Sequence, residues 1–302
     1  MKTIKIQDVV ARDGLQNEDQ FIPTEQKIAL INRLSNAAVD KIEVTSFVSP
    51  KAVPNMSDAE AVMKGITRQP GVTYSVLVPN LKGAKRALEC EVDEINLVVS
   101  VSETHNQKNV RRTTDQSFEN FRDILSFLSN ERIDVNGTLG TTFGCPFEGS
   151  ISEDKVLRLV EQYLELGVSG ITLADTTGMA TPNQVYRLAE NVLKRWPELP
   201  LTLHFHNTRG MGLANVIEGI RAGVTRFDAS LGGLGGCPFA PGATGNICTE
   251  DLVHMLKFIG HDVRADLDQL IDSAKYLQSL MDHEVPGQII KAGKINDLHP
   301  VS

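Results

Sequence analysis

Eight short runs rich in β-branched residues, each followed by a stretch with helical spacing, limit what this chain can fold into. The strand candidates are residues 3–11, 41–46, 73–78, 94–101, 134–142, 170–175, 201–206 and 225–231. Helical patterns lie between them at 24–37, 57–66, 81–90, 115–130, 152–166, 181–195, 210–222 and 249–260. In the first of these Ile28, Ile31 and Leu34 mark one apolar stripe. Eight strand–helix units without a Pro/Gly-rich linker between halves predict an α/β fold, a (β/α)8 TIM barrel. A doubly wound sheet is the alternative, but no strand, glycine-rich turn and helix of the nucleotide-binding kind opens the chain. We expect one catalytic domain over 1–302, with the barrel ending near 262. The extension at 263–302 carries one further helical pattern (Leu267, Leu270, Ile271, Ala274, Leu277) and then a loop-like tail that could cover part of the barrel.

Composition narrows the function classes. The chain has 302 residues, enough for one large barrel, and 30 basic against 38 acidic residues give a net charge of −8. That balance argues against a nucleic-acid or membrane surface as partner. No apolar run approaches the ~20 residues of a membrane span. Strand-like sequence begins at Thr3, so no signal or transit peptide is expected. Cys90, Cys145, Cys237 and Cys248 form no CxxC pair, which suits free thiols in a reducing, cytoplasmic setting.

In such a barrel the chemistry gathers where strands run into the following loops. The seventh run closes on Thr202-Leu203-His204-Phe205-His206-Asn207. Residues two apart in a strand share a face, so both imidazoles point the same way. An HxH alone is as often structural as ligating; the other strand ends shift the balance. The first ends in Arg12-Asp13-Gly14-Leu15-Gln16, and the second carries Glu43 with Thr45 two residues on, expected on the same face. The sixth ends at Ala174-Asp175-Thr176, and after the eighth comes Gly232-Gly233-Leu234-Gly235-Gly236-Cys237-Pro238, running on to Gly245-Asn246. Each has a plain alternative. Asp13-Gly14 could be a turn, Arg12 a surface charge, and Thr249-Glu250 a helix cap and dipole partner. Glu43 between apolar neighbours needs either a role or a buried partner. Five strand ends contributing polar groups to one mouth favour a functional reading.

Asp13, His204 and His206, with Asn246 as a fourth oxygen donor, make a mixed O/N set suited to Mg²⁺ or Mn²⁺, with zinc or cobalt as substitutes. Cys237 is better placed for catalysis than for ligation, given its glycine-rich loop. Cys145 is a weaker candidate, and Cys90 and Cys248 read as packed thiols. His105, Lys108, Arg111 and Arg112 form a basic loop that meets phosphates or is simply solvated. His254, His261, His283 and His299 read as structural or surface groups.

Several stretches resemble the 3-hydroxy-3-methylglutaryl-CoA lyase family: Arg-Asp-Gly-Leu-Gln-Asn-Glu at 12–18, Glu-Val-Thr-Ser-Phe-Val-Ser-Pro-Lys at 43–51 and Pro-Asn-Leu-Lys-Gly at 79–83. Gly-Cys-Pro-Phe-Glu-Gly at 144–149 and the cysteine loop from Gly233 to Asn246 complete the likeness, which runs to about residue 260. The resemblance implies a metal-dependent carbon–carbon lyase of TIM-barrel fold that cleaves 3-hydroxy-3-methylglutaryl-CoA to acetyl-CoA and acetoacetate. Leucine breakdown is that family's usual setting. It implies Asp13, His204, His206 and Asn246 as metal ligands, Arg12 as the cation at the substrate carbonyl and Cys237 as the catalytic thiol. Glu43, Asp175 and Glu250 match its active-site carboxylates, and Gln16, Thr45, Thr172 and Asn109 are the further substrate-side candidates. An acyl-CoA is the expected partner, with a homodimer as the candidate assembly. The family's second histidine is followed by Asp-Thr-Tyr-Gly, whereas this chain has Asn207-Thr208-Arg209-Gly210. That departure adds a cation near the expected mouth and keeps open a related branched 3-hydroxyacyl-CoA as substrate. A Claisen-type condensing synthase of the wider group is the more distant alternative, since those enzymes are usually longer and lack the glycine–cysteine loop.

Overall fold

A computed structural model describes residues 3–236 and 245–298. Eight parallel strands close a barrel in chain order: β1 Lys5–Asp8, β2 Lys41–Ser46, β3 Thr73–Leu77, β4 Glu94–Ser100, β5 Asp134–Gly140, β6 Gly170–Asp175, β7 Leu201–Phe205 and β8 Arg226–Ala229. β1 pairs with β8 to close the ring, so the expected TIM barrel is the fold observed. Helices α1 Thr24–Asn36, α2 Ala59–Gly65, α3 Leu81–Leu88, α4 Glu103–Val110, α5 Thr114–Leu128, α6 Glu153–Glu165, α7 Pro182–Arg195, α8 Gly212–Arg221 and α9 Thr249–Phe258 follow the strands, and α10 Leu267–Leu280 and α11 Ile289–Ala292 complete the described chain. None of them is long and apolar enough to cross a membrane.

Local chemistry starts and stops these elements. Ser102, Thr113, Ser152 and Asp266 each accept a backbone N–H three residues on, capping α4, α5, α6 and α10. Thr113 and Gln116 form a complete capping box. Part of the stretch expected to be a basic loop is helix, with His105 and Lys108 on α4 and Arg111 and Arg112 just past its end: α4 is polar up to Val110, so it has no stripe for periodicity to find.

Two strands differ from expectation where it matters for the mouth. β1 stops at Asp8 rather than at residue 11, because Arg12, Asp13 and Gly14 all donate their amides to the Val9 carbonyl in one turn of π-helix. Wide turns of this kind are frequent at functional sites. β2 carries a bulge: Glu43 is level with Ser75, but Thr45 is level with Val76 and Ser46 with Leu77. Outward-facing apolar residues of the strands, such as Ile42, Leu173, Leu203 and Phe227, pack under the helices with exposures near zero. The extension does reach the barrel: α10 packs on α1 and α9, Val285 sits against Gly232, Gly287 N–H donates to the Gly232 carbonyl, and His283 meets Glu18 at 2.8 Å.

Candidate active site at the barrel mouth

The π-turn after β1 swings Arg12 and Asp13 over the C-terminal end of the barrel. Arg12 Nε and Nη2 both reach Glu43 Oε2, at 2.6 and 2.5 Å, while Nη1 lies 2.6 Å from Asp13 Oδ1. Glu43 Oε1 accepts from Asn96 Nδ2, and Asn96 Oδ1 accepts from Thr138 Oγ1. The buried carboxylate of Glu43 thus has the partner its burial demands.

His204 on the inner face of β7 and His206 just past its end have ring centres 5.1 Å apart. The segment around Asn246 is wedged between the ends of β7 and β8: Ile247 N–H donates to Phe205 and Ser230 N–H to Ile247. That placement lets Asn246 Nδ2 donate to Asp13 Oδ2 at 2.7 Å and to the Leu234 carbonyl. Gly235, at φ +93°, passes so close that a Cβ would stand 2.7 Å from the Asp13 carbonyl oxygen and 2.8 Å from Asn246 Nδ2. One donor atom each from Asp13, His204 and His206 lies within 4.8 Å of the others, and all three residues are buried.

The electrostatics are those of a cation site. Burial alone would raise the Asp13 carboxyl, but the Arg12 guanidinium, the two imidazoles and the Asn246 amide together outweigh it and hold the group well below the usual carboxylate range. Burial would lower the His204 imidazole, yet the hydrogen bond and charge of Asp228 outweigh it and raise the group. His206, desolvated beside His204, is lowered to about 4 and is neutral at pH 7. Its Nε2 stands 3.7 Å from Asp13 Oδ2, beyond hydrogen-bond reach, and its Nδ1 is buried without a partner among the described residues. Asn246 Oδ1 is likewise buried and unpartnered among the described residues. Stranded polar atoms are costly, and a divalent cation taking two imidazoles, a carboxylate and an amide oxygen fits this donor set.

These groups open into a cleft of about 430 Å³. Arg12, Asp13, Gln16, Asn109, His204 and His206 line it as expected. Thr45 does not: the β2 bulge turns it to Met56, whose sulfur its hydroxyl contacts at 3.6 Å, and puts Ser46 in the cleft instead. Thr172 lies one layer deeper, bonded to Asn136 below Ala174. Asp175 is level with outward-facing Phe205, and its carboxylate accepts the Met179 and Ala180 amides. Burial raises it to about 6. Glu250, also outside the lining, accepts the Gly232 amide at the foot of the glycine loop, and burial pushes it up to about 7. Arg209 donates to the Thr177 and Gly178 carbonyls, and Asn207 accepts the Gly212 amide at the start of α8. The departure at 207–209 is thus a matter of loop and cap, not of the cleft. Of the basic group, His105 and Arg112 line the cleft, while Lys108 sits over the Phe147 ring. Cys90, Cys145 and Cys248 are buried free thiols; Cys237 lies outside the described residues.

Sequence reasoning missed Ser46, Asn96, Thr138, Thr176 and Asp228, all in the cleft wall. Asp228 was findable: Phe227 and Ala229 are the apolar, outward members of that run, which leaves Asp228 facing in.

Residues 3–277 match the protein family described as HMGL-like. The hydroxymethylglutaryl-CoA lyase YngG of Bacillus subtilis is 42% identical over 97% of this chain and 98% of its own. The human mitochondrial hydroxymethylglutaryl-CoA lyase is 39% identical over 96% of this chain and 90% of its own. Among solved structures, an HMG-CoA lyase from Acinetobacter baumannii in complex with coenzyme A and 3-methylmalate superposes with a TM-score of 0.96 at 55% identity, covering 99% of this chain and 98% of that one.

Proposed function

This chain belongs to the HMG-CoA lyase family, and from that membership we propose that it cleaves 3-hydroxy-3-methylglutaryl-CoA to acetyl-CoA and acetoacetate with the help of a divalent cation, Mg²⁺ or Mn²⁺. The observation that carries the reading is the meeting of Asp13, His204 and His206 beside Arg12 at the mouth of the cleft. Asn246 Oδ1 is the fourth donor.

When bound, the cation supplies a fixed positive charge that eases loss of the proton from a substrate hydroxyl. The chain's own groups do the rest. His206 is kept neutral, with a lone pair to offer. Arg12, clamped by Glu43 and Asp13, cannot swing away, so its charge is already in place where the thioester oxygen gathers negative charge as the carbon–carbon bond opens. Fixed charges of this sort are worth ~3–4 kcal/mol in a water-poor site. Ser46 and Thr176 line the same cleft and offer hydroxyls to the substrate's carboxylate. Val48, Val53, Val78 and Pro79 give the apolar wall along which an acyl-CoA arm would lie. Cys237 delivers the proton to the enolate carbon; this assignment rests on its glycine-loop sequence alone.

A product assay tests the proposal. Protein stripped of metal and then supplied with Mn²⁺ or Mg²⁺ should release acetyl-CoA and acetoacetate in equal amounts from 3-hydroxy-3-methylglutaryl-CoA. Folded, metal-supplied protein that releases neither would overturn it.

A further inference from the structure

The two imidazoles at the mouth are held differently. His204 on β7 is level with Asp228 on β8, both facing the barrel interior, and His204 Nδ1 lies 3.2 Å from Asp228 Oδ2. Among the described residues His206 has no such partner on its Nδ1. Asp228 lines the main cleft and also a water-sized cavity of about 20 Å³ beneath it, shared with Gln7, Glu43, Asn96 and Thr172.

We infer that Asp228 is a positioning residue, whose carboxylate fixes the His204 ring so that Nδ1 carries the proton and Nε2 is left as the donor atom. The inference rests on the proposed cation at this site. A neutral imidazole has one N–H and one lone pair, and a carboxylate next to one nitrogen draws the N–H to that side. The opposite nitrogen then has its lone pair aimed along a direction set by the sheet rather than by a free side-chain torsion. Carboxylates in this relation to a ligating histidine govern affinity without touching the metal, and their loss costs about 10–100-fold. Strand alternation turns Asp228 inward, but it is the register of β7 against β8 that sets it beside His204.

Two measurements test the inference, and they separate it from the cation itself. Manganese affinity, read by calorimetry on stripped protein, should fall at least tenfold in Asp228→Leu. Asp228→Asn keeps an acceptor oxygen and should stay within about threefold of the parent. Equal affinity in all three proteins would overturn the inference. Imidazole ¹⁵N shifts of metal-free parent protein, taken at a pH high enough for the ring to be neutral and with His204 assigned by its substitution, should show the proton on Nδ1. A proton on Nε2 overturns the inference whether or not manganese binds, and needs no variant to fold. Parent protein that binds no manganese yet shows the Nδ1 proton would defeat the cation reading while leaving the orienting role in place.

Discussion

Arg12 reaches the cleft with its guanidinium already engaged by Glu43 and Asp13, and Glu43 is steadied in turn by Asn96. A charge fixed this way does little for a neutral ground state and much for a developing enolate. Arg12→Gln should therefore lower kcat by about 10²–10³ with KM changed little; steady-state kinetics giving the reverse split would place Arg12 in substrate binding instead. His206→Ala removes one of two nitrogen donors, so manganese retained through dialysis should drop from near one equivalent to a small fraction. The proposed donor residues were legible because strand parity and strand-end position declared them: Asp13 lies in the turn that follows β1, and His204 and His206 share a face. Asp175 and Glu250 were not separable from them on type alone. Their side chains accept backbone amides at the Met179–Ala180 turn and at Gly232, hydrogen bonds that no pattern of residues displays.

All eight strands were legible, because β-branched runs between helical stripes are a strong local signal. The details lost were those set by neighbouring elements. The bulge in β2 shifts register against β3 only after Glu43, and so exchanges Thr45 for Ser46. Thr45→Val should leave turnover within about twofold, whereas Ser46→Val should reduce kcat/KM by about tenfold, the worth of one hydrogen bond to substrate. Likewise β1 stops three residues short of its apolar run, since Val9, Val10 and Ala11 carry a strand-like composition into the π-turn, and α4 lacks the apolar face that would mark it. Gly137 on β5 shows how closely strand and helix fit: a Cβ there would lie 2.6 Å from the ring of Tyr163, whose hydroxyl is tied to the Leu97 carbonyl. Gly137→Ala should cost about 1–3 kcal/mol in urea unfolding, and a midpoint equal to the parent's would show that the helix can yield.

The molecule as a whole stores titratable groups out of water, and this makes its stability depend on pH. Glu250 is pushed by burial from an ordinary 4.5 to about 7, and Asp8 is raised to about 7 as well. A raised carboxyl means that the folded chain holds a proton which the unfolded chain releases between those values. Stability from Glu250 is then full below pH 4.5 and is lost as pH rises through 7, by roughly 3 kcal/mol. Glu250→Gln abolishes that term, so the stability of the parent relative to this variant should decline from pH 5 to pH 7.5; a difference constant with pH would mean that Glu250 is ordinary. The extension ties the same region together, with Gly287 on Gly232 and His283 on Glu18, joining the tail to the two loops that frame the cleft. The proposed chemistry depends on distant strand ends converging on one ion, and diffraction from a manganese-soaked crystal at the manganese absorption edge tests this directly. A single anomalous peak should stand in contact with Asp13, His204 and His206, within reach of Asn246 Oδ1. A peak elsewhere, or none at those three residues in fully loaded protein, would contradict it.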